Sequence, residues 1–189
     1  MSPERTLHIL GMAGSLRSGS YNRALLDAAR MIAPAGMELS VFDLAPIPLY
    51  NYDIEQQGIP DSVRALKVAI RDADALLIAT PEYNWSIPGV LKNAIDWASR
   101  PPDNPFAGKP VAVIGASTGS FGTVRAQLHL RQILMALGAI PMGQPTLYVA
   151  RAREKFDANG RLQDDEIREH LHRVLVALRE WTLRLQGRI

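Results

Sequence analysis

The short stretch ALLIAT, Ala75 to Thr80, is apolar at five consecutive positions and so has no polar face to turn toward water. A strand of this kind must be covered on both sides, which is typical of the centre of a parallel sheet. Four other short runs are predicted as strands, the last more weakly than the rest: Leu7–Ala13, Glu38–Leu44, Pro110–Ser117 and Thr146–Ala150.

Helical patterns separate these strands. The predicted helices are Asn22–Ile32, Ser62–Ala73, Gly89–Ser99, Thr123–Leu137 and Asp164–Leu185. Apolar residues recur at spacings of three and four in the last helix and predict a face turned toward the core: Ile167, Leu171, Val174, Leu178, Trp181 and Leu185. Alternating strands and helices predict an α/β fold, a doubly wound five-stranded parallel sheet with helices on both faces.

The chain shows no internal repeat and no break in composition, so we predict a single domain over residues 1–189. Two stretches are expected to be irregular, Ala45–Gly58 and Ala150–Gly160. Loops of this length in compact domains are often functional.

Composition argues against several classes of function. The formal charge is only +2 and the basic residues form no run, so neither nucleic acid nor a membrane surface is an expected partner. The absence of cysteine excludes disulfides, thiolate chemistry and cysteine-ligated iron–sulfur clusters. No apolar run approaches the roughly 20 residues of a membrane span, and the first ten residues lack a signal-peptide pattern, so the cytoplasm is the expected location.

The sequence also lacks the motifs that usually mark a metal site or a serine hydrolase. The four histidines, His8, His129, His170 and His172, are predicted on separate elements or on different faces of one helix, so no metal site is expected. No Gly-x-Ser-x-Gly follows a strand, which argues against a serine hydrolase.

Ligands of open parallel sheets bind beyond the carboxyl ends of the strands. Three segments follow strands at this edge: the first loop GSLRSGSYN (Gly14–Asn22), the second loop PEYNWSIPG (Pro81–Gly89) and the third loop STGSFGT (Ser117–Thr123). Each is rich in glycine or in hydrogen-bonding residues. We therefore predict a binding site where the three loops meet.

The first loop enters a helix N-terminus, which offers unpaired backbone N–H groups and the positive end of the helix dipole. Ser15, Ser20 and Asn22 add neutral donors, and Arg17 adds a charge suited to a terminal phosphate. A capped helix with a flexible lead-in explains the same residues, with Ser20 or Asn22 as N-cap. The loop is neither a P-loop nor a Gly-x-Gly-x-x-Gly dinucleotide motif.

The second and third loops suit a flat heterocycle. The second holds Glu82, Tyr83, Asn84 and Trp85 between two prolines, and could form a wall for such a ring. A turn with Tyr83 packed on the core is the alternative. Trp85 lies outside the helical stripes and is expected at the rim or in an interface, whereas Trp97 and Trp181 are expected in the core.

Glycines at positions 115, 119 and 122 lie in or beside the third loop, together with Ser117 and Thr118. Small residues here would let a planar group approach the backbone. A tight turn into the next helix explains the glycines almost as well.

Together these segments, with IPLYNYD, TPEYNWSIPGVLKNAIDWASRP and GKPVAVIGASTGSFGTVRAQ, resemble the NAD(P)H-dependent FMN reductases, including bacterial quinone and chromate reductases of flavodoxin-like fold. The resemblance runs in register from Leu7 to about Leu137, and more loosely to Gly160. Its most specific part is the Pro-Glu-Tyr-Asn segment followed by Pro-Gly and LKNAIDW. Many relatives carry proline and more glycine in the third loop, where this chain has Thr118, Ser120 and Phe121.

The resemblance implies FMN as cofactor and NAD(P)H as co-substrate, in a homodimer or homotetramer with the flavin near a subunit interface. The residues that it implies for the FMN phosphate are Ser15, Arg17, Ser20, Tyr21 and Asn22. Those that it implies beside the flavin ring are Pro81, Glu82, Tyr83 and Asn84 on one edge and Ser117 and Gly119 on the other.

Two classes of function follow. The first is an enzyme that passes electrons from NAD(P)H through FMN to quinones, flavins, azo compounds or chromate by ping-pong hydride transfer, with no catalytic side chain of its own. The second is a flavodoxin-like carrier of single electrons between proteins. Such carriers tend to be acidic and to dock on basic partners, whereas this chain is slightly basic and carries Arg17. These features favour the enzyme.

Overall fold

Parallel strands form the centre of the computed structural model, which describes residues 6–187. Residues 1–5 and 188–189, which the single-domain prediction includes, lie outside the described part. The strands are β1 (Leu7–Ala13), β2 (Met37–Phe42), β3 (Ala75–Ala79), β4 (Pro110–Ala116), β5 (Ile140–Pro141) and β6 (Leu147–Val149). The helices are α1 (Tyr21–Met31), α2 (Tyr52–Gln57), α3 (Asp61–Asp72), α4 (Gly89–Ala98), α5 (Val124–Ala136) and α6 (Asp165–Leu185), with a 3₁₀ turn at Ala152–Glu154.

The strand order is β2-β1-β3-β4-β5, and all pairs are parallel. This is the flavodoxin-like order, in which β2 is added on one side of β1 and all later strands are added on the other side, so the strand order reverses between β1 and β3. The fifth position of the sheet is shared by two short pieces, because β5 pairs with the beginning of β4 and β6 with its end. The predicted strand at 146–150 is confirmed as β6, whereas the two-residue β5 is too short to leave a pattern in the sequence.

Helices cover both faces of the sheet, as predicted. Alternate residues of the central strands point to opposite sides, so Leu76 and Ile78 pack under α3, α4 and α5 while Leu77 packs under α1 and α6. All five residues of β3 are buried. The stripe predicted on the last helix faces the core through its middle, whereas Leu185 at its end is 40% exposed.

The prediction of an irregular stretch over 45–58 was wrong in part, because α2 lies within it. Asn51 begins this helix, and its side chain accepts a hydrogen bond from the backbone N–H of Asp53 at 2.8 Å. Glu55 of α2 pairs with Arg100 at 3.0 Å and accepts a hydrogen bond from the Tyr50 hydroxyl at 2.7 Å. The stretch is therefore tied to the end of α4.

Candidate functional site

A cavity of about 180 Å³ lies at the carboxyl edge of the sheet, where the three loops meet. Nine of the eleven predicted site residues line it: Ser15, Arg17, Ser20, Tyr21, Asn22, Pro81, Glu82, Tyr83 and Ser117. Asn84 and Gly119 do not line it, and Ala116 and Thr118 complete the wall. Pockets that enclose a whole ligand usually measure about 300–1,000 Å³. The cavity is thus sized for one end of a ligand, and the remainder would lie on the open rim.

The first loop supplies donors at one end of this cavity. Ser20 is the N-cap of α1, and its Oγ accepts from the backbone N–H of Arg23 at 3.4 Å. Among residues 6–187, no acceptor is found for the backbone N–H groups of Tyr21 and Asn22 or for the hydroxyl of Ser15. Ser15 is only 6% exposed as a residue, and it lines the cavity. Buried polar groups normally have partners, and these donors together suit an oxygen-rich anion.

Arg17 brings a positive charge to the same end. No carboxylate of the described chain lies within ion-pair distance of it, and its guanidinium lies over the Tyr21 ring at 5.6 Å. Tyr21 also contacts Phe156, with ring centroids 5.2 Å apart and the ring planes tilted by 42°. The contact with Tyr21 places the Arg17 guanidinium beside the helix N-terminus, and its N–H donors have no acceptor among residues 6–187. The charge and the helix dipole therefore add at one place.

Asn22 has a structural use for its side chain. Its amide donates to the carbonyl of Ala116 and accepts from the N–H of the same residue, both at 2.9 Å. The side chain is buried and joins the start of α1 to the end of β4. Of the two N-cap alternatives weighed from the sequence, Ser20 is the cap and Asn22 is this bridge. Only the backbone N–H of Asn22 is left for a ligand.

Glu82 also has protein partners. Its carboxylate accepts from the backbone N–H groups of Arg125 and Ala126 at 2.9 and 3.1 Å, and from Nε of Arg125 at 2.8 Å. Its side chain is 7% exposed. The carboxylate thus caps the N-terminus of α5 from the second loop and fixes that loop against the helix. Glu82 can border a ligand only through its backbone and the stem of its side chain.

The second loop turns sharply between Tyr83 and Ser86, which form two backbone hydrogen bonds with each other. Both residues of the turn, Asn84 and Trp85, have positive φ angles of 49° and 66°. This conformation is uncommon for a residue as large as tryptophan. It brings the Trp85 ring to 4.5 Å from the guanidinium of Arg125, which also lies 5.2 Å from the Phe121 ring.

Aromatic rings are therefore exposed at the rim. Trp85 is 69% exposed, as the sequence predicted, and Trp97 is fully buried as predicted. Packing of Tyr83 on the core, the alternative raised from the sequence, is wrong, because Tyr83 is 51% exposed and lines the cavity. Asn84 lies exposed in the turn rather than in the cavity wall.

The three glycines in or beside the third loop are explained by different features of the structure. At Gly115 an added Cβ would overlap the Thr123 hydroxyl and the Thr80 carbonyl, so β4 needs glycine for its own packing. Gly122 has a φ of 59°, and a Cβ added there would lie 3.1 Å from the backbone of Tyr148. Gly119 meets only Ser117 Oγ, at 3.6 Å, so protein packing does not explain it. Tight packing thus accounts for two of the glycines, and close approach of a ligand stays a prediction for the third.

Arg125 is the residue of this region that the sequence reasoning missed. The sequence did contain an indication of its role. An arginine in the first turn of a helix is unfavourable beside the positive end of the helix dipole, which indicates that a nearby anionic group compensates for it. That group is the carboxylate of Glu82. Ala116 was not predicted because it takes part only through its backbone, which forms two hydrogen bonds with the Asn22 side chain.

The described residues show neither of two other kinds of feature, a metal site and a membrane-spanning helix. Between residues 6 and 187, no three histidine or acidic side chains lie together as metal ligands would. Over the same range, no helix is long and apolar enough to cross a membrane.

The strand order, with three polar loops meeting at the carboxyl edge, defines a flavodoxin-like protein. The chain belongs to the NADPH-dependent FMN reductase family, whose model matches residues 7–154. It is 54% identical over 181 residues to an NAD(P)H-dependent FMN reductase of Pseudomonas aeruginosa, with 96% of this chain and 98% of the relative covered. It is 44% identical to a quinone reductase of Escherichia coli K12, with 95% and 97% covered.

Among solved structures, the chain is similar to FerB, a flavoenzyme NAD(P)H:(acceptor) oxidoreductase from Paracoccus denitrificans. The TM-score is 0.86 at 37% sequence identity, with 95% of this chain and 98% of FerB covered. The family, the flavodoxin-like fold, the class of enzyme and the flavin cofactor predicted from the sequence are thereby confirmed.

Proposed function

We propose that this chain holds FMN at the cavity formed by its three loops and uses NAD(P)H to reduce quinones and other small acceptors, including free flavins, azo compounds and chromate. Family membership supports the cofactor and the class of reaction. The observation that carries the proposal is a small cavity with unpaired donors at one end and an open rim at the other. This shape suits a ligand with a compact anionic end and a flat exposed end.

The phosphate end of FMN fits the first loop. Ser15 is buried with an unpaired hydroxyl, and the N–H groups of Tyr21 and Asn22 are unpaired within the described chain. Arg17 supplies the charge, and Ser20 holds the helix start in place. We propose that these five residues bind the terminal phosphate.

The ring end would lie between the second and third loops. Pro81, Glu82 and Tyr83 would border it on one side, and Ser117 and Gly119 on the other. The Glu82 carboxylate supports this arrangement indirectly, because it fixes the second loop to α5. Contact between Asn84 and the ring stays a prediction, since Asn84 lies outside the cavity wall.

When bound, FMN supplies a ring that can take a hydride from the nicotinamide and pass electrons to an acceptor. The protein's own contribution is to hold the phosphate and to fix the third loop beside the ring, because the N–H of Ser117 donates to the Val149 carbonyl at 2.9 Å and the N–H of Gly119 donates to Ser117 Oγ at 3.2 Å. The open rim leaves room for one flat molecule at a time, so NAD(P)H and the acceptor compete for it. We therefore expect ping-pong kinetics, in which the oxidised nicotinamide leaves before the acceptor binds.

We also propose a homodimer or homotetramer in which the exposed rings of Trp85 and Phe121 are covered by another copy of the chain. Their exposures of 69% and 70% at the edge of the site support this. Light scattering of the wild type should report an oligomer, and Trp85→Ser should shift it toward the monomer. A wild-type monomer with full turnover would contradict the proposal. Cytoplasmic location and a single domain stay predictions.

The direct test of the phosphate assignment compares two flavins that differ only in that group. A charge-assisted contact is worth about 1.5–3 kcal/mol, so Arg17→Ala should weaken FMN binding about ten- to a hundredfold. Riboflavin, which has no phosphate, should lose little affinity. Arg64→Ala, on α3 and paired with Asp61, is the matched control and should change neither. Equal weakening of both flavins by Arg17→Ala would refute the assignment.

A further inference from the structure

The helix α5 carries large apolar side chains on the face that it turns to solvent. Leu128 is 56% exposed and Met135 is 64% exposed. They lie two helical turns apart on one face, roughly 10.5 Å along the axis, with the exposed Gln132 between them. We call these three residues the α5 stripe. A surface helix normally turns charged and polar residues to solvent, so the two apolar residues suggest that this face is covered.

The α5 stripe carries no ionisable side chain. The helix contains no acidic residue and no lysine, and its two arginines are engaged within the chain. Arg125 pairs with Glu82 at 2.8 Å, and Arg131 donates to a main-chain carbonyl. His129, at the margin of the stripe, has its Nδ1 3.1 Å from the Ser86 hydroxyl. Two copies of such a face can meet without the repulsion that like charges cause.

The stripe continues the aromatic rim of the site. Arg125 lies one turn before Leu128, and its guanidinium contacts the rings of Trp85 and Phe121. At exposures of 69% and 70%, these rings offer roughly 100–175 Å² each. A stable interface buries about 800 Å² on each partner. The rings alone therefore fall short, and the stripe extends the same patch along the helix.

We propose that α5 packs antiparallel against α5 of a second copy, about a two-fold axis at Leu128. This inference rests on the homo-oligomer of the proposed function and names its interface. A two-fold axis brings each patch against the same patch in the opposite direction. Leu128 lies seven positions after Phe121 and seven before Met135. The two copies of Leu128 therefore meet, and the partner subunit's Met135 lies against the rings of Trp85 and Phe121, a favourable contact for a thioether.

This pairing makes one wall of the proposed flavin site depend on the partner. Asn84 and Trp85 both have positive φ angles, 49° and 66°, and such residues persist only where their surroundings hold them. Arg125 holds the Trp85 ring from within the same chain at 4.5 Å. The partner subunit's Met135 covers the ring from the exposed side. Because Tyr83 of the same loop lines the cavity, the dimer steadies that wall.

The absence of cysteine makes the pairing directly measurable. Packed helices lie about 8–10 Å apart, so a short bis-maleimide can join thiols at facing positions. In the FMN-loaded protein, Leu128→Cys should cross-link to a covalent dimer. After subunit exchange, a mixture of Phe121→Cys and Met135→Cys should also cross-link, whereas Met135→Cys alone should not. Val68→Cys, at a 46% exposed position on α3, is the matched control and should stay a single chain on a denaturing gel.

A charge at the axis gives a second readout that needs no cross-linker. Leu128→Arg places two arginines face to face, so the dissociation constant measured by sedimentation velocity should rise about a hundredfold or more. Val68→Arg should leave it unchanged. Circular dichroism should show the same helix content in both variants, because both positions are exposed in the single chain.

Failure of this inference is distinguishable from failure of the proposed function. If the wild type is an oligomer but Leu128→Cys does not cross-link and Leu128→Arg does not weaken association, the α5 interface is overturned and another surface joins the copies. Cross-linking of Met135→Cys alone would overturn the register. If the wild type is a monomer that still binds FMN and reduces quinone, the interface and the homo-oligomer both fall, while the flavin assignment stands.

Discussion

Replacing Glu82 tests the role that the structure gives to its carboxylate. In Glu82→Ala the first turn of α5 loses a cap on the N–H groups of Arg125 and Ala126, and the Arg125 guanidinium loses its partner. Loss of a helix cap costs about 1 kcal/mol. The ion pair adds only about 1–2 kcal/mol, because the Arg125 side chain is 33% exposed and partly screened by water. The free energy of unfolding should fall by about 2–3 kcal/mol.

For a chain of this size a loss of 1 kcal/mol lowers Tm by about 2–4 °C, so the expected decrease is about 4–12 °C. Thermal unfolding of the flavin-free protein, followed by circular dichroism, measures it without the stabilisation that a ligand adds. Glu82→Gln keeps one acceptor and should lose about half as much. Glu38→Ala, at an exposed glutamate on β2, is the control and should change Tm little.

The same variant separates two roles in flavin binding. If Glu82 acts by holding the second loop, Glu82→Ala should weaken FMN and riboflavin by the same factor, because the phosphate is not involved. An unchanged Tm together with loss of flavin would refute the reasoning, since Glu82 would then contact the ligand rather than the helix.

Other positions give equally direct tests. Asn22→Ala leaves the buried peptide groups at the end of β4 without partners and should cost about 2–5 kcal/mol in urea unfolding. Gly115→Ala should destabilise by about 1–3 kcal/mol or more through overlap, whereas Gly119→Ala should keep Tm and weaken FMN binding. The hydrogen bond from Tyr50, with help from a neighbouring arginine, holds the pKa of Glu55 below its ordinary value. Its stabilisation is therefore present above that ordinary value and lost as pH falls through the lowered one. The protection of the amides of residues 45–58 against hydrogen exchange, corrected for the intrinsic exchange rate at each pH, should fall in acid, and Glu55→Gln should abolish this dependence.

Much of the fold could be predicted from periodicity, because the buried strands and amphipathic helices follow from which faces must be covered. The uninterrupted apolar run of β3 identified the centre of a parallel sheet. Short elements were not predicted. The strand β5 has only two residues, and the six residues of α2 have no buried side chain that would produce an apolar stripe. Asn51 was the available signal for α2, as an N-cap residue before an acidic first turn.

The location of the candidate site could be predicted from the sequence, whereas the roles of several of its side chains could not. Loops after parallel strands must share an edge, so nine of the eleven chosen residues line one cavity. Sequence alone could not show that Asn22 and Glu82 are engaged by Ala116 and Arg125. Such long-range pairings depend on how far each loop folds back.

The central claim is that FMN bound at the three loops is reduced by NAD(P)H and then reoxidised by a small acceptor. Anaerobic stopped-flow of the FMN-loaded protein tests it most directly. Mixing with NADPH alone should bleach the flavin absorbance, and a later addition of quinone should restore it within the turnover time of the enzyme. Flavin that stays oxidised until NADPH and quinone are both present, or that NADPH never bleaches, would contradict the account and favour a ternary complex or an electron carrier.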